Sequence, residues 1–147
     1  MDFVLSKEQE MARQLFRDFA EKEVKPLAQE VDEEERFPAE TVAKMQKFGF
    51  MGIPFPKDMG GQGCDSLTYA ICVEELSRVC ATTGVIVSAH TSLGCDPIKK
   101  FGTPEQIKKY LVPMAQGKLL GAFGLTEPNA GTDASGQQTK AVLEGDH

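Results

Sequence analysis

The residues of this chain best suited to chemistry stand together in Phe123-Gly-Leu-Thr-Glu-Pro-Asn-Ala-Gly-Thr-Asp133. The apolar run that leads into them, 120–125, alternates large and small side chains, as a strand does where backbone or a flat ligand must come close. Thr126 offers a hydroxyl, and Pro128 stiffens the turn after it. Across 129–133, Asn and Gly tolerate positive φ, so successive amide N–H groups can converge on one concavity, with Thr132 adding a donor beside them. That is the chemistry of a phosphate cradle. An ordinary loop between two strands accounts for the same residues taken alone. Metal chemistry has no comparable foothold: Cys64, Cys72, Cys80 and Cys95 form no C-x-x-C pair, and only two histidines are present.

Several helices must carry such a loop. Ser6 and Gln9 form a capping box that starts a helix, along which Met11, Leu15, Phe16, Phe19, Val24, Leu27 and Val31 recur as one apolar stripe. Pro26 predicts a break or kink near Lys25. Phe37-Pro38 opens a second helix whose buried side is Val42, Met45 and Phe48, and Gly49 ends it. The stretch 52–63 holds too many Gly and Pro for regular structure, and its glycines suit either a ligand or a compact connection. Ser66 is the expected cap of a third helix running to about Cys80. The uncharged stretch 82–94 predicts a buried helix continuing to Phe101, with strand as the alternative, and its Ser88, His90, Thr91 and Ser92 are covered by neighbouring helices or by a ligand. A second capping box, Thr103 to Gln106, starts a short helix to about Met114. Beyond Gly117 the pattern changes to strand runs at 120–126 and about 138–143, followed by a hairpin turn at Gly145-Asp146. The predicted fold is therefore mainly α: a helical domain over 1–118, then the first strands of a β domain over 119–147, so that the chain reads as a fragment.

Composition narrows the function classes. With 41% apolar and 26% charged residues the chain has the makeup of a globular domain, and no apolar run approaches a membrane span. A net charge of −6, with lysines interleaved among glutamates, argues against a nucleic-acid surface. The first residues lack both a secretion signal and an Arg-rich presequence, and the cysteines read as reduced buried thiols, so the expected location is cytoplasmic.

In this order, helices first and then LGAFGLTEPNAGTDASG, the chain resembles the N-terminal part of an acyl-CoA dehydrogenase over all 147 residues. The most specific element is Leu125-Thr-Glu-Pro-Asn-Ala-Gly-Thr-Asp133, supported by Val73-Glu-Glu-Leu76, the run 84–93 and Phe101-Gly-Thr-Pro-Glu-Gln106. The likeness is greatest to the short-chain, butyryl-CoA branch and its bacterial members. The resemblance implies FAD as cofactor, lined by Phe123, Gly124, Leu125, Thr126, Gly131 and Thr132, with donors at Leu125 and Thr126 stabilising negative charge on the flavin. It implies that Thr132 also meets the acyl-CoA, and that Ile86, Ala89 and Leu93 stand around the base of the acyl pocket, with Ile86 favouring a short chain. The implied reaction is α,β-dehydrogenation of an acyl-CoA, with electron-transferring flavoprotein as acceptor and a homotetramer as the assembly. The catalytic glutamate of the resembled family lies in a later helical domain, so no catalytic residue is expected in this chain. Glu127 is a tempting substitute, but support of the loop or a bond to backbone is its expected role. A helical module that recruits a partner without chemistry is the competing reading.

Overall fold

The computed structural model describes residues 4–146. The Ser6 hydroxyl accepts the Gln9 amide at 3.2 Å and the Gln9 side chain accepts the Ser6 amide at 3.0 Å, completing the predicted box in front of α1, Lys7–Phe19. Only part of the predicted stripe is covered. Phe16 and Phe19 are buried, whereas Met11 and Leu15 remain 66% and 56% exposed, because α1 packs on the chain through a narrower face than its sequence makes apolar. The helix does not break at Pro26. It widens into a π-turn, Ala20–Val24, and resumes as α2, Lys25–Glu33, so that Pro26 sits in a first turn where its missing N–H costs little.

Helix α3, Ala39–Lys47, follows Pro38 with no side-chain cap, and Gly49 beyond it turns with φ +79°. The Gly-rich stretch 52–63 is a compact connection: the amides of Gln62, Gly63 and Cys64 return to the carbonyls of Gly52, Phe55 and Ile53 at 2.8–3.0 Å. A Cβ on Gly61 would lie 2.1 Å from the Phe55 carbonyl, so the glycine is required by this folding-back.

Helix α4, Ser66–Ser77, is capped by Asp65 and not, as expected, by Ser66. The Asp65 carboxylate accepts the Thr68 amide at 2.7 Å and, through its other oxygen, the Gln9 side chain at 2.7 Å, a double role a serine hydroxyl could not fill. The uncharged stretch forms helix, not strand: α5, Ala81–Ala89, passes through a π-turn, His90–Cys95, into α6, Asp96–Phe101. The second capping box, with bonds of 2.8 and 3.3 Å between Thr103 and Gln106, starts α7, Pro104–Gln106, which leads through the π-turn Ile107–Leu111 to α8, Val112–Ala115.

Two apolar clusters hold these helices. The larger joins Phe16, Phe19, Val42, Met45, Phe50, Ile71, Leu76 and Val87, with the Phe16 and Phe50 rings edge-on at 5.1 Å. The smaller joins Phe55, Cys95, Leu111, Met114 and Ala115. Between α1 and α4 the 2% exposed Glu75 accepts Arg17 Nη2 at 2.8 Å, Arg17 Nε at 3.0 Å and Arg78 Nε at 3.3 Å. The Arg17 guanidinium holds the Glu75 carboxyl below the usual carboxylate range despite burial.

The mainly α architecture stands, but the expected strands at 120–126 and 138–143 have no ladder among the described residues. Past Gly117, whose φ is +71°, regular structure among the described residues is limited to one antiparallel bridge, Glu127 to Ala130, and a single 3₁₀ turn, Ala134–Gly136. A strand exists through its partner, and these segments have none beside them. Gly145 turns with φ +62° where the hairpin turn is predicted, while His147 and residues 1–3 lie outside the described residues. Among the described residues no helix is long and apolar enough to cross a membrane, and no group of three or more His, Cys, Asp or Glu is placed to hold a metal ion.

Candidate functional site

The loop after α8 presents an open face. Phe123 and Leu125 are 50% and 41% exposed, and a Cβ added at Gly124 or Gly131 would meet no atom within 4 Å. Among the described residues the amides of Leu125, Thr126, Gly131 and Thr132 have no acceptor. Gly124, Leu125, Thr126, Glu127, Gln137 and Thr139 line a shallow pocket there, and the Gln137 side chain donates to the Leu125 carbonyl. Ala130 is the buried pin beneath it. The expected positive φ does not occur: neither Asn129 nor Gly131 adopts it, so no cradle forms by left-handed backbone. What Gly131 contributes instead is the absence of a side chain on an open face. A flat, partly apolar group carrying hydrogen-bond acceptors fits this surface.

Glu127 lines the same pocket but is already engaged. Its carboxylate accepts the amides of Gln138 at 2.8 Å and Thr139 at 3.0 Å, while its backbone pairs with Ala130 at 3.1 and 3.2 Å. Those two amides, Gln138 first, hold the carboxyl below its ordinary range. An ionised side chain already bonded to backbone is a brace, as expected of it, and a poor proton acceptor.

The residues expected around an acyl pocket lie on the helix from α5 to α6. Ile86 packs against the larger apolar cluster, Ala89 is half-buried, and Leu93 is 45% exposed. Their spacing places them along one side of a regular helix, but the π-turn beginning at His90 shifts the register after Ala89, so Leu93 turns outward while Ile86 turns into the core.

This helix meets the start of the loop through His90 and Gly94. His90 is fully buried, and its Nδ1 accepts the Gly121 amide at 2.9 Å. The ring proton is then on Nε2, 3.4 Å from Cys95 Sγ. Burial holds the imidazole below its ordinary pKa, against the opposing pull of the Met51 and Met114 carbonyls, and pushes the Cys95 thiol up to about 12. The sequence reading does not single out His90 from the polar residues around it. The signal is there: a ring with two polar nitrogens in an uncharged stretch needs a partner for each.

The description "Acyl-CoA dehydrogenase, N-terminal domain" belongs to the family model that matches residues 6–118. The chain is 65% identical, over 147 residues, to the short-chain-specific acyl-CoA dehydrogenase of Clostridium acetobutylicum, covering 100% of this chain and 39% of that one. Among solved structures it superposes with a TM-score of 0.94 and 51% identity on a chain from work on the electron transferring flavoprotein of Acidaminococcus fermentans, covering 99% of this chain and 38% of that one. On butyryl-CoA dehydrogenase from Megasphaera elsdenii the TM-score is 0.88 at 44% identity, covering 95% and 37%. The chain thus spans well under half the length of the relatives it matches.

Proposed function

The chain belongs to the acyl-CoA dehydrogenase family through its N-terminal helical domain, and on that premise we propose that it is the N-terminal part of a flavin-dependent dehydrogenase of short-chain acyl-CoA thioesters, of the butyryl-CoA type. The observation that carries this reading is the open face at 123–132, where exposed apolar side chains, acceptor-free amides and side-chain-free glycines stand side by side. Bound against that face, FAD would supply the acceptor for the hydride that leaves the β carbon as a carboxylate takes the α proton.

Phe123 and Leu125 form the apolar wall for the flavin, and Gly124 leaves room for its approach. The amides of Leu125 and Thr126, which have no acceptor among the described residues, are suited to stabilising negative charge that builds on the ring. Gly131 and Thr132 serve the phosphate and pantetheine side, Thr132 through its hydroxyl. Ala89 and Leu93 offer surface to a short acyl chain, and Ile86 backs them from the core. Glu127 is committed to the Gln138 and Thr139 amides, so the base comes from outside this chain.

We assign 1–118 to the helical domain and 119–147 to the start of a β domain whose further strands complete 120–126 and 138–143. The left-handed turn at Gly117 and the loss of regular helix beyond it support that boundary. Electron-transferring flavoprotein as acceptor, a homotetrameric assembly and a cytoplasmic location complete the proposal, the first supported by the likeness to a chain from work on that flavoprotein. The test is a titration of the protein, expressed at the length of its relatives, with butyryl-CoA, octanoyl-CoA and a branched acyl-CoA while flavin absorbance is followed. Bleaching strongest with the C4 substrate is expected. A protein without bound flavin, or one that bleaches only with long chains, overturns the assignment.

A further inference from the structure

We propose that His90 is a positioning residue that sets where the loop 122–126 stands, by holding the Gly121 amide on its Nδ1 lone pair. This deepens the proposed function and rests on it for the loop's flavin ligand, while the anchor itself is a property of this chain.

The backbone of the last helical turn ends its own bonding with the amides of Lys118 and Leu119 on the Pro113 carbonyl. From there to Glu127 the only backbone amide with an acceptor among the described residues is that of Gly121, and its acceptor is His90. The span bearing Phe123, Leu125 and Thr126 is therefore tied to the helices at Gly121, by His90, and otherwise, among the described residues, only within the loop, at the Leu125 carbonyl by the Gln137 side chain and at Glu127 by Ala130. The first tie is tight on every side. A Cβ on Gly94 would stand 3.1 Å from the Gly121 Cα, and one on Gly121 would stand 2.5 Å from Met114 Cε and 3.4 Å from His90 Nδ1. Two glycines thus bring the loop against the helix, and the fully buried imidazole is aimed at the amide that arrives. The π-turn supplies the aim, because His90 is its first residue, and the same helix carries Ala89 and Leu93. One ring therefore fixes the distance between the flavin-facing loop and the helix proposed to bound the acyl chain.

Nδ1 is the atom that matters, and substitutions can separate it from bulk. Asn places its Oδ1 where Nδ1 stands, Gln places its oxygen nearer the Nε2 position, and Leu has no acceptor. In the ¹⁵N-labelled chain, a scalar coupling across the hydrogen bond between the Gly121 amide nitrogen and His90 Nδ1 is expected, and its absence overturns the proposal. In His90→Leu and His90→Gln, amide resonances of 122–126 should move and Gly121 should lose protection from exchange, while His90→Asn should keep both near wild type. In the protein at the length of its relatives, the Leu and Gln variants should bind FAD about tenfold more weakly, the loss expected of one hydrogen bond, with Asn restoring affinity. Gln covers the case in which Leu prevents folding. Unmoved resonances in both, or an Asn variant as defective as Gln, overturn the proposal. A full-length wild type that holds no flavin would instead overturn the functional assignment and leave the resonances of 122–126 to decide the anchor.

Discussion

At Glu127 and His90 two titratable side chains are held in the charge state that suits a brace, each by the groups it touches. Glu127 must be ionised to accept two amides at once, and its lowered pKa follows from them. Glu127→Gln keeps one carbonyl and loses the charge, so the Gln138 and Thr139 amides should exchange faster by mass spectrometry. In the protein at the length of its relatives, if it has the proposed activity, turnover of this variant should stay close to wild type, whereas a fall of about 10²–10⁴, the usual loss on removing a general base, would make Glu127 the base after all. His90 works in the opposite sense. Its folded pKa lies below the ordinary 6.5, so on acidification the unfolded chain takes up a proton that the folded ring refuses. The contribution of neutral His90 is therefore complete above about pH 6.5 and declines as pH falls below it. The groups on the ring are the Gly121 amide, the neutral Cys95 thiol and the Met51 and Met114 carbonyls, none of which titrates in that window. The depressed carboxylates Glu75, Asp65 and Glu127 lose their contributions only at lower pH, below the ordinary values of 4.5 for Glu and 3.8 for Asp. Urea midpoints measured between pH 7.5 and 5 should accordingly fall in wild type and stay flatter in His90→Asn; parallel curves would contradict this account.

Packing between α4 and α5 is close at Gly84. A Cβ there would lie 1.9 Å from Ser77 Oγ, 3.0 Å from its Cβ and 3.2 Å from its Cα. The hydroxyl can rotate away, but the other two contacts are part of the helix. Gly84→Ala gains about 1 kcal/mol of helix propensity and loses about 1–3 kcal/mol to overpacking, so a net destabilisation is expected in urea. Ser77→Gly in the same chain should recover part of it as a coupling of about 0.5 kcal/mol or more, and additive effects would show that the crossing yields more easily than drawn. What is legible in the sequence at this scale is what is local. The Ser6 and Thr103 boxes need only residues three apart, and both form. The π-turns are not legible, because the same side chains suit an α-turn and the extra residue is chosen by packing. The exposure of Met11 and Leu15 is hidden for a related reason: a stripe shows what a helix can bury and not how much of it is met by a partner. The cap at Asp65 falls one residue from the expected one because both candidates are good acceptors and only the reach to Gln9 separates them. In the loop, the residue types are legible and the backbone is not. Gly131 is expected at positive φ and is there for its bareness, while the His90 anchor depends on a contact between positions 31 apart.

As a whole the described chain divides into a part that stabilises itself and a part that does not. The helices to Ala115 share two buried clusters and the Glu75 network, enough core for cooperative folding without a ligand. From 119 onward nearly every residue is exposed, including Phe123, Leu125, Val142 and Leu143, the last two at 74% and 82%. Such a surface offers a flavin one wall and no enclosure, whereas tight small-molecule sites bury most of their ligand. Electrostatics adds nothing to offset that, since 22 acidic against 16 basic side chains leave a net charge of −6 facing an anionic dinucleotide. Residues 1–147 purified alone should therefore show a helical circular dichroism spectrum and a cooperative urea transition, yet carry no flavin absorbance and no dehydrogenase activity toward butyryl-CoA. Flavin retained near one per chain after gel filtration would mean that the loop alone encloses its ligand, and the division drawn at 118 would fail with it. A chain that unfolds without a cooperative transition would fail it from the other side, by showing that the helices need further partners to stand.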